Sequence, residues 1–447
     1  MIQFIIIKNK VKSFNKKIII DSDKSISIRS LIFASLATGI SKIQNLLESE
    51  DIFNTIKSLK KLGVKIKKIK KTYVVNGLGI NKFKYKKKLT LNAGNSGTLA
   101  RLIASLLIRS PYKIKLIGDK SLSKRDFGRI IDPLSKFGAK FYPKNKKTLP
   151  LMIKYNKNPK EYFFFENKGS AQVKSAIMLA ALNFKHTTQI LAKKSRNHTE
   201  NFFNFLNIPI KIQKGQKKDL IKVKGLEKIK PFNYKVPADV SSGLFFIALV
   251  ILTKNSKLTL KNVNINFSRI GAIEILKKMG VNFVFKNKKK YKGEDVADIL
   301  VKSPKKLIAI NCSSKMNSRA IDEFLIIFLI AAKAKGTSYF KDIGELNQKE
   351  SPRLKIGSDF LKMIGVKNYV TANSIKIVGQ PNLYLSKNYE MKNFLKDHRV
   401  FMMSVIAALT LGGNWKIFDP DSFKTSFPSF LKLIRKMGGK YNVSKKL

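Results

Sequence analysis

Residues 91–102 read Leu-Asn-Ala-Gly-Asn-Ser-Gly-Thr-Leu-Ala-Arg-Leu. The glycines, asparagines and serine of the first half favour a tight turn with exposed amide groups. From Thr98 onward the apolar residues recur at helical spacing, and Ser96 or Thr98 can serve as the N-cap. A helix N-terminus of this kind suits an anion, and Arg101 adds a fixed cationic group. Taken alone, the stretch is also typical of an ordinary junction between a loop and a helix.

An amphipathic helix that ends at a short turn and leads into a strand-like run recurs six times along the chain. The segments, with their turns, are 56–67 (Gly63), 131–142 (Gly138), 202–212 (Ile208-Pro209), 272–285 (Gly280), 360–370 (Gly365) and 430–443 (Gly438). Glycine directly after the last apolar residue is typical of a helix C-terminus. Successive turns lie roughly 70 to 85 residues apart, which indicates internal repeats. The pattern predicts an α/β (α+β) fold of six units, three in each of two domains, with a domain boundary near residues 234–242.

The charge of the chain limits the class of partner. The chain has 447 residues, 44% of them hydrophobic, and a formal net charge of +61. Such a charge points at first to nucleic acid. The lysines are, however, spread along the whole chain, and arginine occurs at only eleven positions. We interpret the excess as solvated surface that binds polyanions weakly, as a by-product.

Cysteine, histidine and the apolar runs exclude further classes. Cys312 is the single cysteine, which excludes an intrachain disulfide and a cysteine-based metal site, and three histidines disfavour a histidine-rich one. The longest apolar runs, 244–252 and 324–332, are far shorter than the ~20 residues of a membrane span. No cleavage signal is recognisable at the N-terminus. We expect a soluble, cytoplasmic protein in a reducing compartment.

Polar motifs that contain arginine or carboxylate side chains stand at the starts of apolar helices throughout the sequence. In order they are Lys24-Ser25…Arg29, Gly94-Asn95-Ser96-Gly97-Thr98…Arg101, Gly118-Asp119…Arg125, Gly169-Ser170-Ala171-Gln172, Asp322, Lys349-Glu350…Arg353, Asp397-His398-Arg399 and Thr425-Ser426-Phe427-Pro428. Any one of them is equally typical of a capped helix or a solvated charge. Their order resembles that of the EPSP synthase (3-phosphoshikimate 1-carboxyvinyltransferase) family, over almost the whole chain.

The resemblance implies the enolpyruvyl transferase fold, an inside-out α/β barrel of two similar domains with three βαβαββ-type repeats each. The implied domains are 22–237 and, after a second crossing of the chain near residues 21–23, 1–21 with 238–447. The active site is expected in the cleft at their hinge. The implied reaction transfers the enolpyruvyl group of phosphoenolpyruvate to the 5-hydroxyl of shikimate 3-phosphate and releases phosphate. This step belongs to the shikimate pathway of chorismate and aromatic amino-acid biosynthesis.

The resemblance also assigns residue roles. Those implied for phosphoenolpyruvate are Lys24, Arg125, Arg353 and Arg399, with Lys349 close to both substrates and Gly97 beside the donor. Asn95 is expected to bind substrate as well. Those implied for shikimate 3-phosphate are Ser25, Arg29, Ser170, Gln172 and Ser195. Asp322 is expected to take the 5-hydroxyl proton, while Glu350 and Lys24 or Lys349 exchange protons with the enol methylene and the leaving phosphate. No metal or organic cofactor is implied, and we expect a monomer that binds only these small molecules, without a specific nucleic acid or a membrane.

Four positions depart from the family pattern. Ala171 stands where many members have a second phosphate-binding serine, and Asp126 replaces a proline beside the Arg125 position. Pro352 replaces an aspartate, and with Ser351 as N-cap it would occupy the first helical position. Thr425 replaces a lysine, which leaves open whether Lys424 contacts a substrate.

Two other functions remain in competition. UDP-N-acetylglucosamine enolpyruvyl transferase shares the fold and the donor, but that family typically uses a loop cysteine. Cys312 lies in a strand-like context outside every motif and is interpreted as a small buried or edge residue. The second competitor is a basic nucleic-acid-binding protein on the same fold, which would need a concentrated cationic face with interleaved aromatic residues.

We predict that polyanion binding is non-specific and falls steeply with salt, because counterion release from scattered lysines provides its free energy. Titrations with duplexes of unrelated sequence between about 50 and 200 mM salt measure this. A sequence-selective complex that persists at high salt would favour the nucleic-acid-binding function instead.

Overall fold

The computed structural model describes residues 2–156, 159, 162–225 and 228–446. The chain divides into two compact units. The N-unit consists of Ser22–Val236 and Tyr291–Glu294, and the C-unit of Met1–Asp21, Pro237–Lys290 and Asp295–Leu447. The domain bounds expected from the sequence, 22–237 against 1–21 with 238–447, stay a prediction. They include residues 291–294 in the second domain, whereas these residues belong to the N-unit.

Helices of 4 to 14 residues lie along the described part of the chain. They are α1 (Lys24–Leu36), α2 (Glu50–Lys61), α3 (Gly97–Leu106), α4 (Gly128–Lys136), α5 (Ala171–Ala181), α6 (His198–Phe205), α7 (Val240–Leu252), α8 (Gly271–Lys278), α9 (Asn317–Ala320), α10 (Phe324–Ala331), α11 (Arg353–Met363), α12 (His398–Leu411) and α13 (Phe430–Lys436). Single 3-10 turns lie at Leu122–Lys124, Ser314–Met316, Gly344–Gln348 and Ser422–Thr425. None of the helices in the described ranges is long and apolar enough to cross a membrane.

The strands are short and lie between these helices, singly or in runs of consecutive strands. They are β1 (Ile2–Ile7), β2 (Asn15–Ile18), β3 (Thr38–Gln44), β4 (Lys65–Ile69), β5 (Thr72–Leu78), β6 (Leu89–Asn92), β7 (Ile114–Ile117), β8 (Ala139–Tyr142), β9 (Leu151–Tyr155), β10 (Phe163–Glu166), β11 (Thr187–Lys193), β12 (Ile210–Gln213), β13 (Lys218–Lys224), β14 (Asn233–Lys235), β15 (Lys257–Asn264), β16 (Phe283–Tyr291), β17 (Glu294–Lys302), β18 (Asn311–Cys312), β19 (Thr337–Lys341), β20 (Asn368–Val370), β21 (Ser374–Val378), β22 (Leu385–Met391), β23 (Gly412–Phe418) and β24 (Asn442–Lys446).

The described strands form six four-stranded sheets with one shared order. In the repeat that begins at β6, the chain runs β6-α3-β7-α4-β8-β9 and the sheet order is β6-β7-β9-β8. The first two strands are parallel, and the hairpin pairs antiparallel with the second. Every other sheet follows this order, three in each unit. The βαβαββ repeat expected from the sequence is therefore confirmed.

Strands from distant parts of the chain complete the first sheets of both units. β14 pairs parallel with β3 in the N-unit, and β2 pairs parallel with β15 in the C-unit. β1 lies between β23 and β24, antiparallel to both. The C-unit thus contains the N-terminal strands, which explains why the chain leaves and re-enters it.

The first helix of each repeat is buried on all sides. In the C-unit these helices are α7, α10 and α12, which contact one another, and in the N-unit α3 contacts both α1 and α5. A helix that is apolar all round must be enclosed. The strands carry buried and exposed residues in alternation, as β3 and β13 do, so one sheet face meets the core and the other meets water. This inside-out arrangement leaves the helix N-termini as the places where polar side chains gather.

Left-handed residues end the second helix of each repeat, as the sequence predicts. The five glycines of the pattern, Gly63, Gly138, Gly280, Gly365 and Gly438, all have positive φ. In the third copy the turn falls one residue before the predicted Ile208-Pro209, at Asn207 with φ 53°. Asparagine is the residue after glycine that best tolerates this conformation.

Gly365 allows a test of this backbone requirement. Its φ is +77°, and among the described residues no atom beyond the two chain neighbours lies within 4 Å of the position that a Cβ would take, so alanine meets no steric neighbour there. We expect Gly365→Ala to lower the free energy of unfolding by about 1–2 kcal/mol, the cost of a left-handed L-residue. Gly365→Asn is the matched control and should cost less. Equal urea midpoints for wild type and Gly365→Ala would contradict the expectation.

Candidate active site

Short polar side chains cap the buried helices of the N-unit. The Asp23 carboxylate accepts a hydrogen bond from the Ile26 amide at 2.9 Å at the start of α1. Ser96 accepts from the Leu99 amide at the start of α3, and Ser170 from the Val173 amide at the start of α5, both at 3.3 Å. Ser96, one of the two candidate caps in the opening stretch, is therefore the N-cap of α3.

The loop before α3 contacts the loop after β7. Asn95 donates to the Asp119 carboxylate at 2.6 Å and accepts from the Arg125 guanidinium at 3.2 Å. Asp119 also accepts from the Leu122 amide at 2.7 Å, which fixes the turn that carries Arg125. Three residues predicted as site residues meet here. A Cβ on Gly97 would lie 2.9 Å from an Arg125 nitrogen, so glycine provides the space that this guanidinium occupies.

Arg101 links α3 to α5. Its guanidinium donates to the Gln172 side chain at 2.5 Å and to the Asp126 carbonyl at 3.2 Å. The Gln172 amide in turn donates to the Thr98 hydroxyl at 2.9 Å. Both ends of the Gln172 side chain are therefore fixed. Sequence reasoning assigned Arg101 only a general cationic role, because its contact with a residue 71 positions later depends on the tertiary fold.

Arg29 lies in a buried cluster of hydroxyl groups. Its guanidinium donates to Thr199 at 2.8 Å, to Ser175 at 2.9 Å and to the Ser25 carbonyl at 3.0 Å. Burial lowers the pKa of Arg29 to about 10, while Glu200 opposes that shift. The group is still cationic at neutral pH. The i,i+4 relation of Ser25 and Arg29 predicted a shared helix face, but the two hydroxyl partners were missed.

The remaining predicted N-unit residues stand at helix starts. Lys24 forms an ion pair with Asp51 at 3.0 Å, and Ser25 follows it as a half-buried residue of α1. The Ser195 hydroxyl oxygen is buried just before α6 and finds no hydrogen-bond partner among the described residues. An unpartnered buried hydroxyl is costly, and such a group is often completed by a bound molecule.

Glu166 organises the loop in front of α5 and was missed by sequence reasoning. Its carboxylate accepts from the amides of Lys168 at 3.1 Å and Gly169 at 2.9 Å. Burial raises the pKa of Glu166, and the backbone hydrogen bonds partly offset this. The carboxylate thereby holds the turn that presents Ser170. A signal was available, since an acidic residue ends the apolar strand β10 shortly before the Gly-Ser turn.

Asp126, which replaces a proline of the family pattern, contacts neighbouring residues of its own segment. Its carboxylate accepts from the Gly128 amide at 2.7 Å at the start of α4 and lies 3.7 Å from Arg129. The negative charge is thus used by a helix N-terminus and a neighbouring cation. Ala171, the other N-unit departure, is the first residue of α5 and follows its N-cap Ser170.

The C-unit presents carboxylates at its helix starts, joined by one buried arginine. Arg353 is 1% exposed, and its guanidinium donates to the two Asp397 oxygens at 2.8 and 3.2 Å. It also donates to Glu350 and lies 3.4 Å from Asp322. Lys349 lies 3.4 Å from the same Asp322 oxygen. The four predicted site residues Asp322, Lys349, Glu350 and Arg353 are therefore linked through Arg353 and Asp322, and Arg353 is held by Asp397, to which sequence reasoning assigned no role.

Charge pairing dominates the electrostatics of this cluster. Burial by itself lowers the pKa of Arg353, but Asp397 and Glu350 raise it well above its ordinary value. Burial likewise raises the pKa of Asp397, and the Arg353 cation outweighs it, so that this pKa lies below its ordinary value. Both groups are charged at neutral pH.

Arg399 stands apart from this pairing. The Asp397 carboxylate accepts from the Arg399 amide at 2.9 Å and so caps α12. One terminal nitrogen of the Arg399 guanidinium is buried without a hydrogen-bond partner in the described part of the chain. A fixed cationic group in this state suits an anionic ligand.

The expectation that Ser351 caps α11 is wrong. The Ser351 hydroxyl donates to Asp397 at 2.8 Å, and Pro352 takes the cap position immediately before Arg353. The Asn347 side chain instead accepts from the Leu354 amide at 3.2 Å. The Ser351 hydroxyl hydrogen is thereby directed to a buried carboxylate, and this charge-assisted hydrogen bond helps to satisfy the charge of Asp397.

Two further predicted features lie away from this cluster. Lys424 forms an ion pair with Asp421 at 2.7 Å on the surface, and the Thr425 hydroxyl donates to the Ser422 carbonyl at 3.0 Å. Cys312 is 1% exposed in the edge strand β18, as the sequence interpretation held. Burial raises the pKa of its thiol to about 11, which removes it from nucleophilic chemistry at neutral pH.

Solved structures share this fold. An enolpyruvyl transferase, NikO from Streptomyces tendae, superposes over 100% of both chains with a TM-score of 0.76 at 12% identity, which shows the fold alone. EPSP synthase from Acinetobacter baumannii superposes with a TM-score of 0.85 at 32% identity and covers 99% of this chain and 100% of its own. The fold is therefore that of the enolpyruvyl transferases.

Sequence comparison narrows the class to one family. The family model of EPSP synthase (3-phosphoshikimate 1-carboxyvinyltransferase) matches residues 8–434. The 3-phosphoshikimate 1-carboxyvinyltransferase of Ruthia magnifica is 38% identical over 95% of both chains. That of Petrotoga mobilis is 37% identical over 95% of this chain and 98% of its own. The chain belongs to the EPSP synthase family.

The buried ion pair of Arg353 and Asp397 should contribute to stability in a pH-dependent way. We expect Asp397→Asn to lower the free energy of unfolding by about 3–5 kcal/mol at pH 7, because it leaves the Arg353 charge poorly compensated. The pKa of Asp397 is depressed in the folded protein. Its stabilisation is thus present above the unfolded pKa of about 3.9 and is lost as the pH falls through the lower folded value.

Urea unfolding of both proteins at pH 7 and below pH 4 measures this. The difference between them should shrink at the lower pH. Asp421→Asn, at an exposed aspartate, is the matched control and should change stability by less than about 1 kcal/mol. An Asp397→Asn protein as stable as wild type at pH 7 would contradict the role of the pair.

Proposed function

We propose that this chain transfers the enolpyruvyl group of phosphoenolpyruvate to the 5-hydroxyl of shikimate 3-phosphate. The products are 5-enolpyruvylshikimate 3-phosphate and phosphate, and the step belongs to the shikimate pathway. The observation that carries the proposal is the match to the EPSP synthase family over residues 8–434. A phosphate-release assay with the two substrates tests it.

The N-unit residues supply the binding groups for shikimate 3-phosphate. We assign Ser25, Arg29, Ser170, Gln172 and Ser195 to this substrate. Support comes from Ser170 at the start of α5, where the helix dipole favours an anion, and from the buried hydroxyl of Ser195. Gln172 is held at both ends by Arg101 and Thr98, which fixes its orientation before any ligand arrives.

In this proposal five cationic residues bind phosphoenolpyruvate: Lys24, Arg125, Lys349, Arg353 and Arg399. The uncharged Asn95 and Gly97 belong to the loop that positions Arg125. Arginine recognises carboxylate and phosphate through two parallel hydrogen bonds, which lysine cannot form. This explains why arginine stands at these positions in a chain that otherwise uses lysine.

The carboxylates of the C-unit provide acid–base catalysis. Asp322 accepts the 5-hydroxyl proton while the hydroxyl oxygen bonds to the central carbon of phosphoenolpyruvate, and an acid protonates the methylene carbon. A proton is then removed from the resulting methyl group and the phosphate leaves, which restores the double bond. We assign the methylene proton transfers to Glu350 together with Lys24 or Lys349. The tetrahedral intermediate carries its phosphate until elimination, so charge stabilisation and proton transfer suffice.

The contacts of these carboxylates support their roles. Asp322 lies 3.4 Å from both Lys349 and Arg353, so its charged form is stabilised in the free enzyme. Glu350 is about one-fifth exposed and paired with Arg353. A site built only to bind anions would avoid negative charges, and their presence favours catalysis.

The alternative reaction, transfer to UDP-N-acetylglucosamine, typically uses a loop cysteine. The cysteine expected for that reaction would have to be exposed and reactive. Cys312 is buried, and burial raises the pKa of its thiol to about 11.

The proposal extends to the compartment and the oligomeric state of the enzyme. We propose that it works in the cytoplasm as a monomer, with no partner beyond its two substrates. Sedimentation of the purified protein with and without substrates tests the oligomeric state, and a stable dimer would contradict it.

We predict that Asp322→Asn and Glu350→Gln keep substrate affinity but lose turnover by roughly 10²–10⁴-fold, the usual contribution of an acid–base group. Binding by calorimetry and turnover by phosphate release separate the two effects. Asp421→Asn is a control on the surface. Unchanged turnover in both variants would remove these carboxylates from the mechanism.

We predict that Gly97→Ala raises the Michaelis constant for phosphoenolpyruvate more than that for shikimate 3-phosphate. The added methyl group would lie 2.9 Å from Arg125 and 3.0 Å from Arg101, so both guanidinium groups must shift. Steady-state kinetics with each substrate varied measures this. Equal changes for the two substrates would place the loop elsewhere than beside the donor.

A further inference from the structure

A second buried polar network lies in the C-unit, beside the Arg353 cluster. Arg269 is 3% exposed, and one of its terminal nitrogens donates to the Asp239 carboxylate and to the Ser241 hydroxyl, both at 2.7 Å. Asp239 caps α7 by accepting from the Ser241 amide at 2.8 Å. None of these residues belongs to the motifs from which the site was predicted.

The network ends at Glu323. The Ser241 hydroxyl accepts from Arg269 and donates to the Glu323 carboxylate. Glu323 is 1% exposed, so its carboxylate takes hydrogen bonds from protein donors. Ser241 thus links Glu323 to Arg269 through two consecutive hydrogen bonds.

Glu323 directly follows Asp322, in the turn between α9 and α10. The Glu323 amide donates to the Ala320 carbonyl at 2.9 Å, and the Glu323 carbonyl accepts from the Ile327 amide at 3.1 Å. Asp322 itself is part-exposed, and its carboxylate lies at the long distance of 3.4 Å from both Lys349 and Arg353. Backbone hydrogen bonds of Glu323 thus shape the turn that presents Asp322, and the buried Glu323 side chain joins this turn to Ser241 of α7.

We propose that Ser241 and Arg269 are positioning residues for the reaction: they hold Glu323 and thereby fix the orientation of Asp322. The inference rests on the proposed function, in which Asp322 accepts the hydroxyl proton. A general base must stay within hydrogen-bonding reach of its proton, and a misplacement of about 1 Å can cost 10²-fold in rate.

The test compares two pairs of variants in the full-length enzyme. Ser241→Ala removes the link to Glu323, and Ser242→Ala is its matched control, a buried serine one residue further along α7. Glu323→Ala removes this side-chain contact, whereas Glu323→Gln keeps an oxygen that accepts from Ser241. For each variant, kcat and both KM values are measured by phosphate release, with thermal unfolding to check the fold.

We expect kcat to fall by roughly 10- to 100-fold in Ser241→Ala and Glu323→Ala, with both KM values changed less than about threefold. Ser242→Ala and Glu323→Gln should retain kcat within about threefold. If Ser241→Ala does not fold, the two Glu323 variants provide the same comparison.

Two results would overturn the inference. One is a kcat in Ser241→Ala or Glu323→Ala equal to that of its matched variant, and the other is a loss confined to KM. Wild-type enzyme that releases no phosphate from the two substrates would instead refute the proposed function, so the two failures are distinguishable.

Discussion

Arg353 and Asp397 form a buried ion pair on which the C-unit cluster depends. The arginine is 1% exposed and the aspartate 0%, and two hydrogen bonds join them. Removing either partner would leave an uncompensated buried charge, which is far more costly than losing a surface pair. The pair fixes Arg353 in turn against Glu350 and Asp322. Two groups that the proposed mechanism needs as acid and base are thus positioned by one guanidinium.

The two units share one architecture but differ in the side chains at several helix starts. Both expose the N-termini of buried helices, where the dipole favours negative charge. In the N-unit, serines cap α3 and α5, and Asp23 caps α1. In the C-unit, aspartates cap α7 and α12 and are neutralised by Arg269 and Arg353. In the proposed function the helix starts of both units supply binding groups, and the C-unit adds the carboxylates of Asp322 and Glu350.

Much of this organisation could be predicted from the sequence because it is local. Helix ends follow from glycine after an apolar residue, and helix starts follow from polar caps, so the six repeats were found directly and Ser96 was one of two candidate caps. The third turn was misplaced because Asn207 replaces glycine there. The identity of the site residues depended on family resemblance, since no spacing rule brings Arg353 to Asp397, 44 residues away. The expected role of Ser351 was wrong for the same reason, because its hydroxyl donates to a carboxylate 46 residues away in the sequence, which local patterns do not reveal.

We expect the chain to be an enolpyruvyl transferase specific for shikimate 3-phosphate. The decisive measurement is phosphate release with phosphoenolpyruvate and either shikimate 3-phosphate or UDP-N-acetylglucosamine, with the product identified by mass. Phosphate release is expected with shikimate 3-phosphate alone as acceptor, in equal amount to a product that has gained one enolpyruvyl group. Release with the nucleotide sugar instead, or release from phosphoenolpyruvate without any acceptor, would contradict it.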